Sequence, residues 1–253
     1  MNDLDIIITV FNEGESIGEV LMSLEENVSV SFRVLICYDS DEDNTLPVVR
    51  SIIKDLSYEV LFVKNQGKGV HSAVTTGFNT IDATAVLVFP ADDTENARII
   101  DKMCEEFKDG SDIVAASRFM KGGCMKGCPW LKSFLVRSAS FTLYWLASIP
   151  IKDASNGFRL FSKRIIDRVL IESSHGFTYS LELLVKCHRL GWKITEVPAS
   201  WYRRSKGKSN FHLFKWLPDY LRWYLYGFIT AYLKRPPQSV KLRVNHCFTG
   251  KPI

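Results

Sequence analysis

The 253-residue chain is 46% hydrophobic and 24% charged with six scattered cysteines, which suits one large or two small globular domains with a full core and excludes a disulfide framework. The net charge of +4 hides an asymmetry, because residues 201–253 carry +10 and residues 1–200 carry −6. That split predicts a tail that meets a polyanion or an anionic membrane surface, and nucleic acid is set aside because no stacking or helix-turn-helix signature accompanies the charge.

The first 115 residues alternate strand and helix. Leu4–Val10 is a predicted strand, and Ser16 with Glu19 has capping-box spacing for a helix through Leu24. Phe32–Tyr38 is the next strand, followed by a helix over Thr45–Lys54 and a strand over Glu59–Lys64. A helix from about His71 to Asn79, a strand at Ala85–Phe89, a helix over Asn96–Phe107 and a strand at Asp112–Ala116 continue the rhythm. Repeated βαβ units imply a parallel sheet with helices on both faces. No signal-peptide pattern is expected, since Asp3 and Asp5 stand where a basic region belongs. Cys37, Cys104 and Cys187 lie inside apolar patterns, which fits buried thiols in a reducing cytosol. Cys124 and Cys128 have no second Cys/His pair at finger-like spacing, so zinc is not expected.

The buried-strand pattern at Ala85–Phe89 ends on Asp92 and Asp93. In open α/β sheets ligands bind outside the carboxyl ends of the strands, and two carboxylates there offer a Mg²⁺ or Mn²⁺ ion hard oxygen ligands through which it bridges phosphates. The alternative is a loop that caps the helix starting near Thr94.

Past residue 118 the rhythm breaks. Phe134–Ile151 is apolar but interrupted by Arg137, too short and charged for a membrane span and suited to a core or interfacial helix. Two further strand–helix elements follow at Arg159–Ser162 with Ile165–Ile171, and at Ser180–Leu190 with Lys193–Val197. Residues 211–232 hold nine aromatics in twenty-two positions, flanked or interrupted by Lys208, Lys215, Arg222, Lys234 and Arg235. Such a helix either lies in a membrane interface or packs on the domain with its Tyr and Trp polar ends wet.

Several segments in order resemble the family 2 glycosyltransferases, nucleotide-sugar enzymes of GT-A fold, and especially their dolichyl- or polyprenyl-phosphate sugar synthase branch. They are Ile7–Glu13 (IITVFNE), Asp39–Thr45 (DSDEDNT), Asn65–Gly69 (NQGKG), Ala91-Asp92-Asp93, Ser117-Arg118-Phe119, Asp153–Arg159 (DASNGFR), Glu182, and Trp201–Arg204 with Gly207–Ser209. The resemblance implies a GT-A domain over 1–209; the residues beyond it read as an amphipathic aromatic and basic helix over 210–235, interfacial or packed on the domain, and a basic tail over 236–253. It implies that Thr9, Phe11, Glu13, Asp39, Gly67, Lys68, Asp92 and Asp93 hold a UDP- or GDP-linked sugar. Asp92 and Asp93 would hold the metal, and Asp92, Asp153 and Arg118 would serve catalysis. Arg137, Arg203, Lys208 and Ser209 would clamp the acceptor or phosphate groups, as planar guanidinium groups do well.

Tyr38 stands where the first Asp of a D-D pair is usual, and Pro90 where the first Asp of D-A-D is usual. Members that glycosylate sugar hydroxyls typically carry an adjacent Glu-Asp pair at the start of the late helix, where this chain has Tyr179-Ser180. A hydroxyl nucleophile needs proton removal and a phosphate oxygen does not, so the expected acceptor is a lipid phosphate at the cytoplasmic membrane face. The rival readings are transfer to a glycan or lipopolysaccharide hydroxyl, with Asp153 as base, and an inactive nucleotide-sugar binder.

Overall fold

The computed structural model describes residues 2–202 and 213–243; Arg203, Lys208 and Ser209 lie outside them. The first half runs β1 (Leu4–Val10), α1 (Ile17–Asn27), β2 (Phe32–Tyr38), α2 (Thr45–Ile52), β3 (Glu59–Lys64), α3 (Gly69–Phe78), β4 (Ala85–Phe89), α4 (Ile100–Lys108) and β5 (Ile113–Ser117). The second half runs β6 (Cys124–Lys126), α5 (Trp130–Trp145), β7 (Arg159–Ser162), α6 (Lys163–Arg168), α7 (Thr178–Arg189), β8 (Ile194–Pro198), β9 (Ser200–Tyr202) and α8 (Leu213–Tyr232).

Seven strands form one sheet in the order β3-β2-β1-β4-β7-β5-β8, and β6 pairs with β9 in a small second sheet. Strands β4 and β5 are buried along their whole length, as continuous apolar runs between two helix layers must be. One face packs against α1, α2 and α4, and the other against α3, α5, α7 and α8. The layers sit close: a Cβ on Gly77 of α3 would come 2.8 Å from Ile7 Cδ1 and 3.0 Å from Cys37 Sγ. Gly77→Ala is therefore expected to destabilise the fold by about 1–3 kcal/mol, read as a lower urea midpoint at unchanged slope.

Three expectations are corrected. β7 runs antiparallel to both β4 and β5, so the sheet is not a plain βαβ array. α5 begins at Trp130 and stops at Trp145; the apolar stretch beyond it is a loop that buries Ala147, Ile149 and Ile151 completely and exposes Leu146, Ser148 and Pro150 between them. Ser16 makes no capping bond to its helix, because its hydroxyl donates instead to Ala91 O (3.1 Å) and to Glu13 O and Oε2 (both 3.3 Å).

α8 docks through one face. Trp223 is buried with Lys186 Nζ 4.9 Å and the Arg222 guanidinium 4.7 Å from its ring centre, and Tyr224 Oη meets Thr142 Oγ1 of α5 at 2.7 Å. Beneath it, buried Glu182 accepts from Lys186 Nζ (2.6 Å) and from the Glu172 and Ser173 amides (2.7 and 2.8 Å), so both members of this ion pair are hydrogen-bonded. Burial opposes the Glu172 charge, yet hydrogen bonds from Lys241 and Lys186 hold its pKa at about 2. The opposite face of α8 exposes Leu217, Leu221, Leu225 and Ile229, four residues apart. Among the described residues no helix is long and apolar enough to cross a membrane.

Candidate active site

Register collects the site. Ile8 pairs with Phe89, Val10 with Tyr38, and Tyr38 with Lys64, so the residues that follow β1, β2, β3 and β4 share one edge of the sheet. Phe11, Asp39, Asn65 and Asp92 lie there, just beyond the carboxyl ends of parallel strands. The antiparallel β7 starts at this edge, bringing the Asp153–Phe158 segment beside the end of β5 and Arg118.

The loop after β1 is stapled to the loop after β2. Asn12, in the left-handed region at φ 58°, donates its amide to the Asp43 carboxylate at 3.1–3.2 Å. Glu13 N donates to Thr45 Oγ1 at 2.9 Å and Gly14 N to Asn44 Oδ1 at 3.0 Å. Asn tolerates positive φ better than a branched residue, so the turn needs no glycine here. The result fixes Glu13 near Ser16 and Ala91, one residue before Asp92, and leaves Phe11 more than half exposed. Thr9 lies inside β1, paired with Cys37.

Asp39 is anchored through both of its oxygens. Its Oδ1 accepts from Asn65 Nδ2 at 2.6 Å and its Oδ2 from the Gly69 amide at 2.8 Å, which ties the Gly67-Lys68-Gly69 turn to the end of β2. Each carboxylate oxygen keeps a second acceptor site for a ligand hydroxyl or N–H. Gly69 has φ +81°, and a Cβ on Gly67 would collide with Ser72 Oγ, so the turn requires both glycines. Lys68 stands between them at the N-terminus of α3.

The two carboxylates after β4 divide. Asp93 caps its own turn, with Oδ1 accepting from the Glu95 and Asn96 amides (3.1 and 2.9 Å) and Oδ2 from Asn96 Nδ2 (2.7 Å). Burial raises the Asp93 pKa. The capping role that the sequence left open is thus taken by Asp93, and Asp92 is the half-buried carboxylate at the strand end. Among the described residues no three His, Cys, Asp or Glu side chains gather into a cage. That donor set fits a hard cation held by one or two carboxylates and by ligand phosphates, the habit of Mg²⁺ and Mn²⁺, and does not fit zinc.

Asp153 is wholly buried and accepts six hydrogen bonds: from Arg118 N, Nε and Nη2 (3.0, 2.7 and 3.0 Å), Ser155 N and Oγ (3.2 and 2.9 Å) and Asn156 N (3.2 Å). Burial opposes its charge, but the Arg118 guanidinium more than offsets that and holds the carboxyl below the usual range. Arg118 and Arg137 lie on the Phe119 ring, 5.2 and 4.7 Å from its centre, so this aromatic gathers two guanidiniums. Behind them the buried Arg159 donates to the carbonyls of Ser180 (2.5 Å) and Ala154 (2.6 Å), joining the Asp153 turn to α7. Burial lowers its pKa to about 10, which leaves it cationic at neutral pH. Tyr179 and Ser180 are buried in the first turn of α7.

Sequence reasoning gave Asp43 and Arg159 no role beyond their motifs and passed over Asn96; all three bind backbone groups. Asn96 also clamps the Asp93 turn to β9, with Nδ2 donating to Ser200 O (2.6 Å) and Oδ1 accepting from Ser200 N (2.9 Å). Its only signal was a carboxamide three residues after Asp93 in a turn.

A carboxylate at a strand end, a glycine turn opening a helix and two guanidiniums thus gather at the carboxyl edge of an α/β sheet, the place where ligands of such folds bind. The chain belongs to glycosyl transferase family 2, whose model matches residues 5–170. It is 26% identical over 212 residues to the dolichol-phosphate mannosyltransferase of Pyrococcus furiosus, covering 82% of this chain and 58% of that protein. It is 27% identical to the dolichyl-phosphate hexose transferase of Haloferax volcanii (83% of this chain, 86% of the relative). A further relative is the polyprenol monophosphomannose synthase of Mycolicibacterium smegmatis, at 21% identity (81% and 79%). The fold matches glucosyl-3-phosphoglycerate synthase from Mycobacterium tuberculosis, solved with Mn²⁺, UDP-glucose and phosphoglyceric acid, with a TM-score of 0.67 at 13% identity over 90% of this chain and 80% of that one. The fold is therefore GT-A, with a mostly parallel sheet between two helix layers. The chain spans 58% of the length of the Pyrococcus relative.

Proposed function

We propose that this glycosyltransferase moves a sugar from a UDP- or GDP-linked donor to a polyprenyl or dolichyl phosphate at a membrane surface, with inversion at the anomeric carbon. The observation that carries this reading is the state of Asp153. A carboxylate that accepts six hydrogen bonds and sits below the ordinary pKa range is a poor proton acceptor. The start of α7 offers the buried Tyr179 and Ser180 in place of a carboxylate pair. An acceptor that is already anionic needs no base, and the relatives named for dolichyl and polyprenyl phosphates support that choice.

In this mechanism Glu13, Asp39 and the Gly67–Gly69 turn hold the nucleotide, and Asp92 is the residue that would hold a Mg²⁺ or Mn²⁺ ion. When bound, the ion neutralises charge on the departing nucleoside diphosphate. Arg118 and Arg137, aligned on Phe119, orient the acceptor phosphate so that one of its oxygens faces the anomeric carbon. Most of the barrier reduction then comes from positioning and charge stabilisation. Transfer assays with a panel of nucleotide sugars and Mn²⁺ test the reading: product on polyprenyl phosphate is expected, and product only on sugar hydroxyls would overturn it.

The membrane part of the proposal rests on α5 and α8. They touch at Thr142 and Tyr224, and each exposes an apolar set: Trp130, Phe134, Phe141 and Trp145 on α5, and Leu217, Leu221, Leu225 and Ile229 on α8. Indole rings and leucines bordered by Arg222, Lys234 and Arg235 suit the headgroup boundary, with the enzyme peripheral on the cytoplasmic face. Leu221→Glu and Leu225→Glu are each expected to weaken liposome co-sedimentation by about tenfold, the value of one buried leucine. Binding of the wild-type protein should also fall with salt and with removal of anionic lipid; unchanged sedimentation of both variants would return α8 to a purely packing role.

A further inference from the structure

We propose that Asn65 is a positioning residue for the donor, acting through Asp39 and Lys68 without touching the nucleotide. This rests on the reading that Asp39 and the Gly67–Gly69 turn hold the donor. Asn65 is almost fully buried at the end of β3, with its amide donating to Tyr38 O at 2.8 Å. Its Nδ2 donates to Asp39 Oδ1 at 2.6 Å and to Gly69 O at 3.3 Å. Its Oδ1 accepts from Gly67 N at 3.0 Å, Ser72 Oγ at 2.7 Å and Thr76 Oγ1 at 3.2 Å. The orientation is fixed, because the Gly67 amide can only donate and the Gly69 carbonyl can only accept.

Three backbone groups bracket Lys68: the Gly67 amide and Gly69 carbonyl bound by Asn65, and the Gly69 amide bound by Asp39. A single carboxamide therefore sets the Asp39 rotamer and the path of the Lys68 backbone together. Only a group with both a donor and an acceptor end serves both, so neither an ionised Asp nor Leu replaces it. Asn65→Asp places a second carboxylate against Asp39. Two carboxylates at hydrogen-bond distance share one proton, and one of their pKa values rises strongly. At high pH they repel and release the turn; at low pH the shared proton restores a short bond between them.

The test is calorimetric binding of UDP and GDP with Mn²⁺, each variant compared with the wild-type protein at the same pH. Asn65→Asp is expected to bind on the order of tenfold more weakly at pH 8 and within about threefold of wild type at pH 5.5, as the pair takes up its proton. The double variant Asp39→Asn with Asn65→Asp restores the bond between positions 39 and 65 but not the one to Gly69 O, so its melting temperature at pH 8 should rise above that of Asn65→Asp without reaching wild type. If Asn65→Asp is unfolded at pH 8, that recovery and the binding at pH 5.5 still decide. Equal affinity of Asn65→Asp and wild type at pH 8, or a loss of the same size at both pH values, would overturn the inference. A wild-type protein that binds neither nucleotide would overturn the donor-pocket reading itself, an outcome distinct from both.

Discussion

Asp92→Asn is expected to abolish metal-dependent sugar transfer while leaving the fold standing. Asp92 follows β4 at the edge where the loops after β1 and β2 converge, and its neighbour Asp93 is committed to capping its own turn. Loss of one negative oxygen set at that point removes the protein's hold on a cation otherwise bound by phosphate. Because Asp92 is not a core residue, thermal stability should stay within roughly 1 kcal/mol of wild type. Turnover and Mn²⁺ titration measured together check the assignment. A variant with near-wild-type turnover and unchanged metal dependence would show that the cation is held elsewhere.

Asp153→Asn should do the reverse, costing stability before chemistry. It breaks a buried ion pair and replaces one acceptor oxygen by an NH2 donor that faces the donors around it, a change worth about 3–5 kcal/mol. In a domain of this size that lowers the melting temperature by roughly 10 °C. Below that temperature the rate should fall by less than the ~10²–10⁴-fold that loss of a general base produces. The pH dependence has a definite sign. The folded Asp153 pKa lies below the ordinary aspartate value of about 3.9, so its stabilisation is complete above that value and is lost as pH falls through the lower folded one. The variant should therefore show a shallower acid limb in its stability curve. Intact stability with a rate several orders lower, and donor binding retained, would make Asp153 the base and a sugar hydroxyl the acceptor.

The parallel half of the sheet was legible to the residue. Leu4–Val10, Phe32–Tyr38, Glu59–Lys64 and Ala85–Phe89 have the bounds their apolar runs predict, because each run is bounded by turn or charged residues that a buried strand does not carry through its middle. The direction of β7 was not legible, since four residues of RLFS carry no mark of orientation. β6 and β9 are three residues each and half exposed, too short for any period to show. The apolar stretch after Trp145 shows that burial, not helicity, is what an apolar run encodes. Within the site, Asp92 stood out because it ended a run of apolar residues. Asn96 did not, and Asn65 and Asp43 showed only as members of motifs without a role, because a side chain that serves the backbone of a distant loop looks like any other polar residue in a turn. The spacing of Ser16 and Glu19 misled for the related reason that Ser16 had a better partner in Ala91, seventy-five residues away.

The placement of β7 also decides where this chain can be cut. β5 has only β7 and β8 as strand neighbours, and β4 reaches β5 only across β7. A fragment ending at residue 170, where the family match stops, keeps β7 but strips β8 from β5 and α7 from the sheet face. An unpaired edge of buried apolar strand is a template for aggregation. The cooperative unit therefore extends at least through Pro198, well past the end of the family match at residue 170. Truncations, fusions and circular permutations of this protein should respect that boundary, and the loop between α6 and α7, although exposed in part, is no hinge between independent halves.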